Sequence, residues 1–164
     1  MGGGTRVLVT SVLITFPLLE PFSDAYWLSL AMYYESRDEG LVGRYAVANV
    51  VYNRMNDNRW PPTVKGVITD GLERGRSCDF SFMCDGKPEV PWLHHYSRWS
   101  SWIAIRMEGF ILWLLESANI RYDPTHGAVF YKRFDVYSPW FEKEIKAGRM
   151  RKVAAELGAH EFYK

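Results

Sequence analysis

From Leu28 to Tyr34 the chain reads LSLAMYY, an aliphatic and aromatic run that ends on Glu35. On a helix, Leu28, Ala31 and Met32 precede that glutamate by seven, four and three positions and share its face. The pattern predicts a first helix from Asp24, which can cap it, to about Arg37. DEGLVGRYAVANVVYNRMND predicts a second, with Val42, Ala46, Asn49, Val50 and Asn53 on one face. The stretch from Trp60 to Pro91, rich in Pro, Gly and Asp, predicts irregular loops and short strands. SRWSSWIAIRMEGFILWLLESAN predicts a long amphipathic helix with Trp99, Trp102, Ile103, Arg106, Met107, Phe110 and Leu114 near heptad spacing. Arg106 and Glu108 argue against a membrane span, so a central core helix is expected. After the turn sequence YDPTHG, AVFYK reads as a strand. Ser138 before Pro139 starts a further helix that Gly148 can stop. GAHEFYK reads as a second strand able to pair with the first. The sum is a mainly helical α+β domain with a small β element and a cleft between the helices and the irregular segment.

Composition adds little to this but narrows the partners. The 164 residues fit one domain, and 48% hydrophobic with 24% charged residues describes an ordinary globular chain. Twenty basic against 19 acidic side chains leave a net charge of +1, which gives no electrostatic basis for a nucleic-acid partner. Val7 to Leu19 is a thirteen-residue apolar run preceded by Arg6. It is short for a bilayer span and fits the core of an export signal, with Ser23 and Ala25 as small residues of a cleavage site. Residues 1–25 are therefore expected to be a signal peptide or an apolar N-terminal segment that could contact a membrane, and 26–164 the working domain. The alternative is a first strand or helix that stays in the fold. Cys78 and Cys84 enclose five residues. A disulfide is favoured, worth about 2 kcal/mol by loop closure. Two free thiols or a metal site remain alternatives, although zinc-type cysteine spacing is lacking. No metal and no cofactor is expected.

A carboxyl on an apolar face resists ionising, and this raises its pKa. Glu35 therefore suits a general acid such as one that protonates a glycosidic oxygen. Asp38 and Glu39 would push its pKa the same way, and Arg37 could oppose them. Standard glycosidases add a second carboxylate. Asp79, Asp85 and Asp123 are the loop options, Asp123 before Pro124 reading as a turn residue. Asn49 and Asn53 either bond core backbone or contact sugar amides. His126 and His160 read as turn and strand residues. G-x-S-x-G, P-loop, G-x-G-x-x-G and H-E-x-x-H motifs do not occur.

ESRDEGLVGRYAVANVVYNR, from Glu35 to Arg54, resembles the first motif of the spore-cortex-lytic (SleB/CwlJ-type) cell-wall hydrolases, with Ser36 and Asp38 where that family has alanine and glycine. CDFSFMCDGK resembles the cysteine-bearing form of its next motif, and DPTHGAVFYK, Trp140 and GAHEFYK its C-terminal part. The resemblance implies a lysozyme/lytic-transglycosylase-like fold acting on peptidoglycan glycan strands, with Glu35 as catalytic acid. It also implies an exported, periplasmic or wall-associated location. In a lytic transglycosylase the sugar's own hydroxyl attacks, which would account for the lack of an obvious second carboxylate. Phe80, Ser81, Asp85 and Tyr131 are expected to line the glycan groove. A hydrolytic lysozyme using Asp85 or a water, and a non-catalytic peptidoglycan-binding protein, are the alternative readings.

Overall fold

A computed structural model describes residues 23–164 apart from 74, 76–77 and 88–95. The apolar N-terminal run lies outside the described residues. In chain order the elements are α1 (Asp24–Ser36), α2 (Gly40–Met55), α3 (Val64–Glu73), a 3-10 turn (Ser81–Cys84), α4 (Tyr96–Ser117), β1 (Phe130–Arg133), α5 (Pro139–Lys146), β2 (Lys152–Leu157) and β3 (His160–Tyr163). The result is the expected mainly helical α+β architecture.

The central helix is α1, not α4. Leu28 to Tyr33 are buried without interruption, so α1 is surrounded by α2, α3 and α4 rather than facing a core on one stripe. A helix that is apolar all round carries little periodicity, which is why a stripe was a poor guide to it. Its N-cap is Ser23, whose side chain accepts from the Tyr26 amide, in place of the expected Asp24. α4 covers α1 with Trp102, Ile105, Arg106 and Leu112, while Trp99, Ile103, Met107 and Leu114 are exposed. The buried face of α4 is thus rotated from the heptad reading, and its outer half is left apolar.

α3 occupies ground expected to hold loops and short strands. Thr63, after two prolines, starts it by accepting from the Gly66 amide at 3.0 Å, and Val64, Val67 and Ile68 bury into the core. The β element has three antiparallel strands in the order β1-β3-β2. The expected pairing of the two aromatic strands is present, with Phe130 opposite Tyr163 and Arg133 opposite His160. β2, which the sequence reading lacked, flanks β3 on its other side. α5 begins at Pro139 and Gly148 follows it with φ +69°, as expected. α2 and the sheet share a second apolar cluster of Ala46, Val50, Ala128, Ala154 and Phe162. The tight turn between β2 and β3 is set against the start of α2: a Cβ on Gly158 would come within 2.9 Å of the Gly43 Cα. Glycine is required at both positions for this approach.

Candidate active site

Glu35 sits in the last turn of α1, half-buried, where two concavities of about 380 and 210 Å³ meet; both are lined by Tyr34, Glu35 and Arg133. The larger also contains Arg54, Asp79, Ser81, Tyr131, Lys132 and His160. The acid therefore borders both concavities. Burial pushes its carboxyl up from the ordinary value. The Tyr131 hydrogen bond and the Arg54 charge pull it down, the Glu39 charge pushes it up, and the net direction is up.

Each wall has a structural origin. β1 presents Tyr131, whose hydroxyl donates to Glu35 Oε2 at 3.0 Å. The ring is held edge-on against His160 at 5.0 Å. Burial and the neighbouring Glu35 keep the phenol well above its ordinary value, so it stays a donor. The opposite wall is the short loop closed by the Cys78–Cys84 disulfide, which carries Asp79 and Ser81. That loop is also pinned by Phe82, stacked on Tyr34 at 4.6 Å. At the sheet end, Glu39 is the N-cap residue of α2 but its side chain makes no capping hydrogen bond. Its carboxylate instead accepts from the Ala159 amide at 2.9 Å and contacts His160 Nδ1 at 3.0 Å.

Below the groove lies Arg54 of α2. Its Nε donates to the Val129 carbonyl at 2.8 Å, its Nη1 pairs with Asp79 Oδ2 at 3.2 Å, and its guanidinium faces the Trp60 and Phe80 rings at 5.2 and 5.5 Å. Burial works against this charge, and Asp79 supports it. Asp79 Oδ2 also accepts from Trp60 Nε1 at 3.2 Å. The cation that pulls the Glu35 pKa down is thus Arg54, while Arg37 pairs with Asp38 at 3.6 Å.

The groove collects Glu35, Ser81 and Tyr131 but not the other two expected lining residues. Phe80 is fully buried beneath Arg54, out of reach of a ligand. Asp85 turns back on Lys87, accepting from its amide at 2.9 Å and pairing with its ammonium at 3.4 Å, and does not line the groove. Asp123 is a turn residue, accepting from the Thr125 and Gly127 amides at 2.8 and 2.7 Å. Asn49 and Asn53 are engaged internally, Asn49 with the Tyr45 carbonyl and Arg121, Asn53 with Asp123, Thr125 and the Ala128 carbonyl. Arg54 and Asp79 are what sequence reasoning underweighted. The signal for Arg54 was present: it lies seven, four and three positions after Val47, Val50 and Val51, a charge on a buried stripe like Glu35.

Residues 38–163 match the pattern of the family described as Cell Wall Hydrolase. The chain belongs to the cell wall hydrolase family. The match begins three residues after Glu35 and includes every other residue of the groove except Tyr34, Ser36 and Arg37. No curated protein matches this hydrolase. Two solved structures resemble it. One is the catalytic domain of the germination-specific lytic transglycosylase SleB from Bacillus anthracis, 24% identical over 86% of this chain and 93% of that one, with a TM-score of 0.49. The other is the catalytic domain of the Bacillus cereus SleB protein, 23% identical over 86% and 89%, with a TM-score of 0.48.

Proposed function

We propose that this cell wall hydrolase cleaves peptidoglycan glycan strands between N-acetylmuramic acid and N-acetylglucosamine, outside the cytoplasmic membrane. The observation that carries the reading is a glutamate held toward its protonated form at the junction of two concavities, with a phenol donor fixing one oxygen. A sugar on each side of Glu35 would bring the bridging oxygen to the carboxyl, which protonates it as the bond to the anomeric carbon breaks. The carboxylate formed is stabilised by the Tyr131 hydroxyl and the Arg54 charge. It then takes the proton from the muramoyl C6 hydroxyl as that oxygen attacks the anomeric carbon, leaving a 1,6-anhydro end and restoring the acid.

Hydrolysis is the second reading. It is favoured by Asp79, a carboxylate in the same groove whose Oδ2 is, among the described residues, the oxygen engaged by Arg54 and Trp60, so that Oδ1 could hold a water. Glu35→Gln assayed on purified sacculi tests the acid: muropeptide release should fall at least about a hundredfold, and near-normal release would remove this mechanism. Product mass separates the two readings, since anhydro ends are lighter by one water.

A further inference from the structure

Glu35 is oriented by the Tyr131 hydroxyl, and the Tyr131 ring is itself held. It packs on the apolar cluster shared by α2 and the sheet, and the His160 ring meets it edge-on, with centroids 5.0 Å apart and planes at 86°. An edge-to-face contact is directional, so the tilt of one ring constrains the other. His160 is buried, and both oxygens of Glu39 lie 3.0 Å from its Nδ1. A carboxylate only accepts, so in this pair Nδ1 carries the proton and the imidazole is fixed in tautomer and direction.

Glu39 occupies a slot shaped for its carboxylate. It stands at the N-cap position of α2, yet its side chain runs to the β2–β3 turn instead. A Cβ on Gly43 or on Gly158 would strike its Oε2, so glycine at both positions keeps the slot open. The Ala159 amide donates to the same oxygen at 2.9 Å. The carboxylate is thereby a fixed point between the start of α2 and β3, and the His160 ring is aligned on it.

We propose that Glu39 and His160 are positioning residues for the reaction at Glu35: the carboxylate locks the imidazole, and the imidazole holds the Tyr131 hydroxyl on the acid. The inference rests on reading Glu35 as the proton donor, and it gives Glu39 a task beyond its charge. The two effects differ in sign. The Glu39 charge pushes the Glu35 pKa up, whereas the Tyr131 hydrogen bond pulls it down and is the larger influence. Losing the charge therefore moves the alkaline limb of activity to lower pH, and losing the phenol's position moves it to higher pH.

The test is His160→Asn in the full chain, assayed on purified sacculi for the plateau rate, the sacculus concentration giving half of it, and the pH profile. Asparagine can place an amide N–H where Nδ1–H stood, so Glu39 keeps its partner and its charge while the ring against Tyr131 is gone. Of the groups that act on Glu35, namely Tyr131 from β1, Arg54 from α2 and Glu39 before α2, Tyr131 is then the one disturbed. The expected result is a plateau rate about tenfold lower, with the half-saturating concentration little changed and the alkaline limb moved to higher pH. Adding Tyr131→Phe should cost less than about twofold more. A wild-type rate and limb, or an equal tenfold loss in the Tyr131→Phe background, would overturn the proposal. Should His160→Asn not fold, nitrogen NMR of the isotope-labelled unaltered protein decides: a proton on His160 Nδ1 supports the pair, and a bare Nδ1 with the proton on Nε2 overturns it. An inactive Glu35→Gln beside an unimpaired His160→Asn removes this inference alone, whereas near-normal release by Glu35→Gln removes the acid and the pair's task with it.

Discussion

Replacing Arg54 with methionine should destabilise the domain by about 3–4 kcal/mol. Methionine keeps most of the volume between Trp60 and Phe80, so the loss is electrostatic and polar rather than a cavity. Removing one partner of a buried ion pair costs about 3–5 kcal/mol. The Asp79 side chain is 42% exposed and can regain water, which places the charge contribution below that range. The Val129 carbonyl also loses its donor, at about 1–3 kcal/mol for a buried acceptor left alone. At roughly 2–4 °C per kcal/mol for a chain of this size, calorimetry should record a fall in Tm of about 10 °C. R54M/D79N should lose less than the sum of R54M and D79N, with a coupling of about 1–2 kcal/mol. The same change removes the cation that lowers the Glu35 pKa, so the alkaline limb of sacculus clearing should move to higher pH. A Tm within about 3 °C of wild type, or additive single variants, would refute the view that this guanidinium ties α2 to the strand and to the disulfide loop.

Tyr131→Phe removes the hydroxyl that favours the Glu35 carboxylate, so the alkaline limb of activity should again shift upward while the plateau rate falls about tenfold; an unmoved limb would count against the contact. Glu161, held by hydrogen bonds from Lys132 and Lys152, has its pKa pulled down to about 2 from 4.5. Because its folded value is the lower one, the stability it contributes is present above pH 4.5 and is lost as pH falls through about 2. Glu161→Gln should remove about 1–2 kcal/mol of that acid dependence, measured by urea titrations at successive pH values. Gly109→Ala should cost about 1–3 kcal/mol in the same titrations, because its Cβ would collide with Ser29 where α1 crosses α4.

Much of this architecture was legible in the sequence because several elements are locally determined. Ser138-Pro139 and Gly148 bracket α5, and the two aromatic strands pair as expected, in antiparallel direction. What escaped was tertiary in origin. α3 contains Gly66 and Gly71, which lower helix propensity, and it forms because Val64, Val67 and Ile68 find a core to enter. On α4 the expected stripe buries only in part, Trp102 and Arg106 facing inward and Trp99, Ile103, Met107 and Leu114 outward, because the outer surface is as apolar as the inner one and periodicity does not say which side α1 occupies. In the site, the glutamate on an apolar run was visible, as was its aromatic neighbour Tyr131. Phe80 and Asp85 belong to the same cysteine-bearing segment as Ser81, but direction alternates in so tight a loop: Asp79 and Ser81 face the groove while Phe80 is buried.

The order β1-β3-β2 places the strand made last between the two made earlier. During vectorial synthesis neither β1 nor β2 has a neighbour to pair with until His160–Tyr163 leaves the ribosome. The phenol beside Glu35 is therefore held in place only once β3 has been made, and a nascent chain that stops short of it would carry its acid without the wall that orients it.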